Sequence, residues 1–356
     1  MSGPSANIRG KLDARSREVL DAVVRLHSET GRPVSSGLVS RFLTDSPSPA
    51  TIRTVMKQLE QDGYLDQPHT SAGRLPTDAG FRVYVDGLAT AWPLNRFDLP
   101  AGMVETVRRE TDGSDPQSEI RELAKLLSLL TRNISIVVGP SADGIRVAHL
   151  ECYPRSGRRV LMVMILDNGQ VTTRLADLDA DYPPAVVAKA AGLLVERLTG
   201  RSLGELRGER HPTLDLMRTP ATRCAASLTR ASLELMDEVE EAEVEMDGVA
   251  QVLEDPDFQD AEPLKALIRF LESPREIRAA LQRMYLLDRE PFGVWIGAEN
   301  PLGSLRRFSV ITGTIELAEG QGLLAVLGPR RLPYQRTFQG LEILRHFRGR
   351  PYRAAH

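Results

Sequence analysis

The chain has 356 residues, and at about 150 residues per domain that length favours two to three domains. With 42% hydrophobic and 26% charged residues it is neither disordered nor fibrous, and its longest apolar run, 160–166, falls far short of the roughly 18 residues that a membrane-spanning helix needs. A net charge of −3 does not announce a nucleic-acid partner, so any such reading must come from local organisation.

No apolar stretch ahead of a cleavage site opens the chain, and Cys152 and Cys224 are too few for a disulfide framework. A reducing cytoplasm, with no membrane association, is the expectation. Residues 12–30 carry Val19, Leu20, Val23, Val24 and Leu26 near the helical period, and Gly31 follows as a stop. After Pro33, Ser35 or Ser36 caps a short helix with Leu38, Val39, Phe42 and Leu43 as its apolar positions. Ser48-Pro49 then supplies an N-cap residue and a first-turn proline for a third helix running to about Asp62, with Ile52, Val55, Met56 and Leu59 on one stripe. Tyr64-Leu65 and Arg74-Leu75 read as paired strands around the polar turn 67–73. Thr77 caps a further helix with Phe81, Tyr84, Val85 and Leu88 on one face. Three helices, a hairpin and a closing helix predict a winged helix-turn-helix over residues 1–89.

Residues 90–103 read as a linker, and 117–132 as a helix. Strands are predicted at 134–138, 145–152, 160–166 and 171–175, with Asn168-Gly169 as a hairpin signal between the last two. A helix follows at 184–198. More strands fit 292–296, 308–317 and 323–327, ahead of a last helix at 334–347. Strands on short turns with helices before and after predict an α+β domain with an antiparallel sheet. Between the two groups of strands, 220–243 reads as an inserted acidic helix with Leu228, Leu235 and Val239 on a stripe; 244–253 fits a strand and 263–284 two helices.

On the third helix, the face opposite Ile52, Met56 and Leu59 carries Ala50, Arg53, Thr54, Lys57 and Gln61, with Thr51 and Gln58 at its border and no acid. Arginine hydrogen-bonds guanine bidentately, Gln reads adenine, and Ala or Thr methyls meet the thymine methyl. The first turn of such a helix contacts base edges, which points to Ala50, Thr51, Arg53 and Thr54, with Ser48 at its start; Lys57 suits phosphate. His69, Thr70, Ser71 and Arg74 on the turn suit phosphates or an adjacent minor groove. A polar helix face is more often simply solvated, and charge does not decide the matter, since residues 1–90 hold 11 basic against 10 acidic residues.

The local sequence decides it. Ser48-Pro49-Ala50-Thr51-Ile52-Arg53, Leu59-Glu60, Gly63-Tyr64-Leu65, Gln67-Pro68-His69-Thr70-Ser71-Ala72-Gly73-Arg74-Leu75-Pro76-Thr77-Asp78, Gly80-Phe81-Arg82 and Tyr84-Val85-Asp86 closely resemble the heat-inducible transcription repressor family HrcA. Ile296-Gly297-Ala298-Glu299-Asn300, Val326-Leu327-Gly328-Pro329 and Pro333-Tyr334 extend the resemblance over nearly the whole chain. It implies a winged-helix DNA-binding domain, a GAF-like domain formed by 104–203 and 244–348, and an inserted helical dimerisation domain at 204–243. It also implies a homodimer on an inverted-repeat operator of double-stranded DNA upstream of chaperone genes, associated with the nucleoid when bound, released on heat stress and kept active by the GroEL-type chaperonin. Thr54 and Val55 stand where the family commonly has Asn and an acid, and Gly37 where lysine is frequent; these departures bear on base preference rather than on DNA binding.

No metal, cofactor or catalytic set is expected. His149 and Cys152 point to opposite faces of a strand, Cys224 reads as a packed residue, and neither a Gly-x-Ser-x-Gly turn nor a phosphate-binding Gly-rich loop ending in Lys-Ser/Thr is present. The competing reading is a regulator whose GAF-like domain binds a small ligand.

Overall fold

The computed structural model describes residues 12–45, 47–68, 73–91, 116–155, 158–209, 219–241, 243–250, 261–288, 292–318 and 320–349. Two compact units divide them: the residues up to Gly139 with those from Val244 onward, and Pro140–Glu243.

The first unit begins with capped helices. Asp13 accepts the Ser16 amide at 2.7 Å to start α1 (Ala14–Thr30), and Gly31 ends it in the left-handed conformation. Ser35 caps α2 (Ser36–Phe42), and Ser48 with Pro49 starts α3 (Pro49–Gln61). The Ser40 hydroxyl donates to the Pro47 carbonyl at 2.6 Å and fixes the turn between α2 and α3. Ile52, Met56 and Leu59 are buried with Val19, Leu20 and Val23 of α1 and Val39 of α2, so the apolar stripe of α3 faces the core as its period requires. Two short strands, β1 (Leu65–Asp66) and β2 (Leu75–Pro76), pair antiparallel, and α4 (Asp78–Ala91) follows. Gly80 lies where α4 crosses the Tyr64 carbonyl: a Cβ there would stand 2.2 Å from that oxygen, so only glycine fits. The linker expected at 90–103 lies, beyond Ala91, outside the described residues.

The same unit continues with α5 (Pro116–Thr131) and β3 (Ile134–Val138), and resumes at β7 (Val244–Asp247). Helices at Ala261–Leu271 and Pro274–Leu287 precede β8 (Phe292–Ile296), β9 (Phe308–Leu317) and β10 (Gly320–Pro329), and the helix Tyr334–Gly349 closes it. In chain order after α5 these become α9, α10 and α11, with α6 to α8 in the second unit. The five strands form one antiparallel sheet in the order β7-β3-β10-β9-β8. Alternation puts Val137, Val294, Ile296, Ile311, Leu324 and Val326 on the face covered by α5 and α11, and Ile136, Val138, Trp295, Val310, Ala325 and Leu327 on the face covered by α9 and α10.

The second unit holds β4 (Val147–Pro154), β5 (Arg159–Leu166), β6 (Val171–Asp177), α6 (Pro184–Leu198), α7 (Leu203–Gly208) and α8 (Pro220–Glu241). Here the fold differs from the sequence expectation. The three strands do not join the sheet of β3; they form their own antiparallel sheet, β4-β5-β6, and the inserted unit starts at Pro140 rather than at 204. Val160, Met162 and Met164 on alternate positions of β5 meet Leu194 of α6 and Leu228 and Leu235 of α8, which gives these strands a core of their own. Adjacent strands joined by short turns look alike in sequence whichever sheet they enter, so the boundary was not legible locally. The architecture is mixed α and β with antiparallel sheets, and no helix among the described residues is long and apolar enough to cross a membrane.

Candidate nucleic-acid interface

The start of α3 is held by a tight polar cap. The Ser48 hydroxyl accepts the Thr51 amide at 3.2 Å and lies 2.9 Å from the Thr51 hydroxyl, while Thr54 donates to the Ala50 carbonyl at 3.2 Å. Ala50, Thr51, Arg53, Thr54, Lys57, Gln58 and Gln61 are all exposed, and the buried residues of the helix are Ile52, Met56 and Leu59. The structure thus brings the predicted helix residues to one solvent face. The nearest acids are engaged: Asp62 accepts Gln58 at 3.1 Å, and Glu60 pairs with Arg74. Arg53 and Lys57 are the charged residues of this face.

Arg74 has a structural duty that the sequence did not show. Its Nε and Nη2 both reach Glu60 Oε2, at 2.9 and 2.8 Å, and its backbone exchanges two hydrogen bonds with Val34. The second strand of the hairpin is thereby tied both to α3 and to the loop between α1 and α2. At Gly73 a Cβ would stand 2.3 Å from the Val34 carbonyl oxygen, which explains a glycine ahead of this arginine. His69, Thr70 and Ser71, at the tip of the turn, lie outside the described residues.

Helix α4 carries a second device. Arg82, buried to 9% exposure, donates Nε to Glu299 Oε1 at 2.9 Å and Nη2 to the Val294 carbonyl at 2.6 Å, with a further bond from Nη2 to Glu299 Oε2. Burial works against the charge, but the hydrogen bonds and attraction of Glu299 outweigh it and hold the guanidinium above its ordinary pKa. Asp78, in the first turn of α4, accepts the Ala298 amide at 3.0 Å and pairs with Arg330 at 3.1 Å. Phe81 and Tyr84 pack on Tyr334, with ring centroids 5.9 and 6.5 Å apart. Two motifs read separately in the sequence, Asp78 to Tyr84 and Ile296 to Asn300, meet as one joint. Their matching pattern was visible, but a pairing 217 residues apart was not.

The remaining candidates stay apart from this interface. On β4, His149, Glu151 and Tyr153 share the outer face and hydrogen-bond to one another, while Cys152 packs inward against the core of the second unit. Burial pushes the Cys152 and Cys224 thiols up to about 11, which keeps them protonated and unreactive near neutral pH. Among the described residues no group of His, Cys, Asp and Glu is arranged to hold a metal ion.

Comparison with known proteins places the chain in context. The family model described as the HrcA protein C-terminal domain matches residues 117–338. A heat-inducible transcription repressor HrcA of Caulobacter vibrioides is 34% identical over 342 residues, covering 94% of this chain and 94% of that protein. The heat-inducible transcription repressor HrcA of Geobacter sulfurreducens is 31% identical over 332 residues, covering 92% and 94%. A crystal structure described as that of a hypothetical protein is 25% identical with a TM-score of 0.63, covering 95% of this chain and 98% of its own.

Proposed function

Because the chain belongs to the HrcA family of heat-inducible transcription repressors, we propose that it is a homodimeric repressor that reads a two-fold symmetric operator through α3. The observation that carries this reading is the exposed, acid-free face of a helix whose first turn is fixed by its Ser48 cap. In this reading residues 1–89 form a winged helix-turn-helix: Ala50, Thr51, Arg53 and Thr54 meet base edges, and Lys57 and the turn with His69, Thr70 and Ser71 meet the backbone. Arg74, bound to Glu60, sets the height of the wing. The five-stranded sheet with helices on both faces supports the GAF-like reading of the first unit's second half.

Dimerisation finds support in the second unit. The outer face of its sheet carries the row Tyr153, Leu161 and Leu175 across β4, β5 and β6, with Val163, Ile165 and Val171 beside it. Tyr153, Val171 and Leu175 are 46, 57 and 47% exposed, an apolar patch beside His149 and Glu151 of the kind that pairs with a second copy. A dimer presents two copies of α3 to successive major grooves and makes the second half-site contact effectively intramolecular. Heat that depopulates the binding-competent form, or unfolded clients that occupy the GroEL-type chaperonin sustaining it, then frees chaperone genes in the bacterial cytoplasm. Selection of bound fragments from random duplex DNA by the full-length protein tests the reading. It predicts enrichment of an inverted repeat; no enrichment, or enrichment of isolated half-sites, contradicts it.

A further inference from the structure

A cleft of about 570 Å³ opens where the C-terminal half of α1 faces the turn between α5 and β3 and the start of α11. That volume lies in the range of small-molecule sites. Arg25, Arg132, Arg331 and Arg336 line it against a single acid, Glu29. Arg25, Arg132 and Arg336 make no salt bridge among the described residues: Arg25 lies over the Phe42 ring at 5.3 Å, and Arg336 gives its Nε to the Leu130 carbonyl at 2.7 Å. Burial, followed by the neighbouring Arg132 charge, lowers the pKa of Arg336. Arg331 is set against the end of α1, where a Cβ on Gly31 would stand 3.2 Å from its Cζ.

Two further features point to a ligand. The Ser28 hydroxyl oxygen is buried at the cleft without a hydrogen-bond partner among the described residues, although buried polar groups are nearly always paired. Arg132 adopts the left-handed conformation, φ 56°, at the end of α5, and it is the one non-glycine residue with positive φ among the described residues. Glycine is the usual residue at that position of a helix terminus. Arginine there gives up backbone ease and adds a guanidinium to the cleft.

We propose that this cleft binds a small, multiply charged, phosphate-bearing anion of up to nucleotide size. Guanidinium forks match phosphate oxygens bidentately, and a compact polyanion relieves the repulsion between Arg132 and Arg336. Arg25 belongs to the helical head and the other three arginines to the sheet module of the same unit, so the bound anion ties the two together. This role is separate from base reading by α3.

Calorimetric titration of the full-length protein with sodium tripolyphosphate at constant ionic strength is the test. The parent binds one anion per chain, and Arg132→Gly combined with Arg336→Gln raises the Kd by about tenfold or more, an effect of about 1.4 kcal/mol or more. Arg25→Gln, on the exposed side of α1, gives a second variant that weakens binding should the double variant melt early. No binding heat at millimolar tripolyphosphate, or variants that bind like the parent, overturns the proposal. A random duplex that displaces tripolyphosphate, and whose own affinity falls in the same variants, reassigns the arginines to DNA phosphates and also overturns it.

Discussion

Removing Glu299 isolates the contribution of the joint between α4 and the sheet. In Glu299→Ala the Arg82 guanidinium stays buried, with its side chain 11% exposed, and keeps the Val294 carbonyl and a longer contact to Asp86 at 3.6 Å. The Ile296 amide also loses its acceptor, which Glu299 Oε2 provides at 3.0 Å. Breaking a buried pair from one side costs about 3–5 kcal/mol, and the 20% exposure of Glu299 argues for the lower figure, about 3 kcal/mol. For a unit of this size that corresponds to a fall in Tm of roughly 6–12 °C. Trp295 lies in β8 next to Val294, so its fluorescence in a Trp92→Phe background reports on the joint directly. Arg82→Met combined with Glu299→Ala should recover part of the loss, giving a coupling of about 2 kcal/mol in a double-mutant cycle. A shift under about 1 kcal/mol with no coupling would put the pair among ordinary surface ion pairs and refute the reasoning.

Three further outcomes follow from the same structure. Ser48→Ala removes the hydroxyl that accepts the Thr51 amide and should lower stability by about 1 kcal/mol, read by urea denaturation, while weakening DNA binding through a frayed first turn of α3. Lys57→Ala should reduce the slope of log K against log salt by about 1 without changing sequence preference, as measured by fluorescence anisotropy at several salt concentrations. Burial raises the Asp21 carboxyl to about 6, above its unfolded value, so its charge costs stability above that pH and the cost vanishes below about pH 4. Asp21→Asn should therefore stabilise the protein at pH 7.5 by up to about 2 kcal/mol, with the gain disappearing at pH 4 in thermal melts.

Local chemistry made much of this molecule legible before its fold. Ser48 and Pro49 announced the start of α3, Gly31 the end of α1, and Asn168-Gly169 the turn between β5 and β6, because caps and turns depend on a few adjacent residues. The face of α3 was equally legible, since helical period alone separates Arg53 and Lys57 from Ile52 and Met56. What escaped was non-local. Nothing adjacent to β5 tells whether Met162 and Met164 face α8 or the helices over the five-stranded sheet. The bond of Arg74 to Glu60, which lies on another element, was not visible in the sequence, and Arg82 gave no sign of Glu299. The arginine-lined cleft likewise draws on four separate stretches of chain, each unremarkable by itself.

The central claim is that α3 reads bases, and guanine N7 methylation interference on the selected duplex tests it most directly. The account predicts that methylating one guanine in each half-site abolishes binding by the parent, because Arg53 takes N7 and O6 together. Arg53→Ala should bind the unmodified duplex more weakly by about 1–3 kcal/mol and lose its sensitivity at those guanines. A parent indifferent to guanine methylation, or an Arg53→Ala protein with the parent's affinity and interference pattern, would contradict the account.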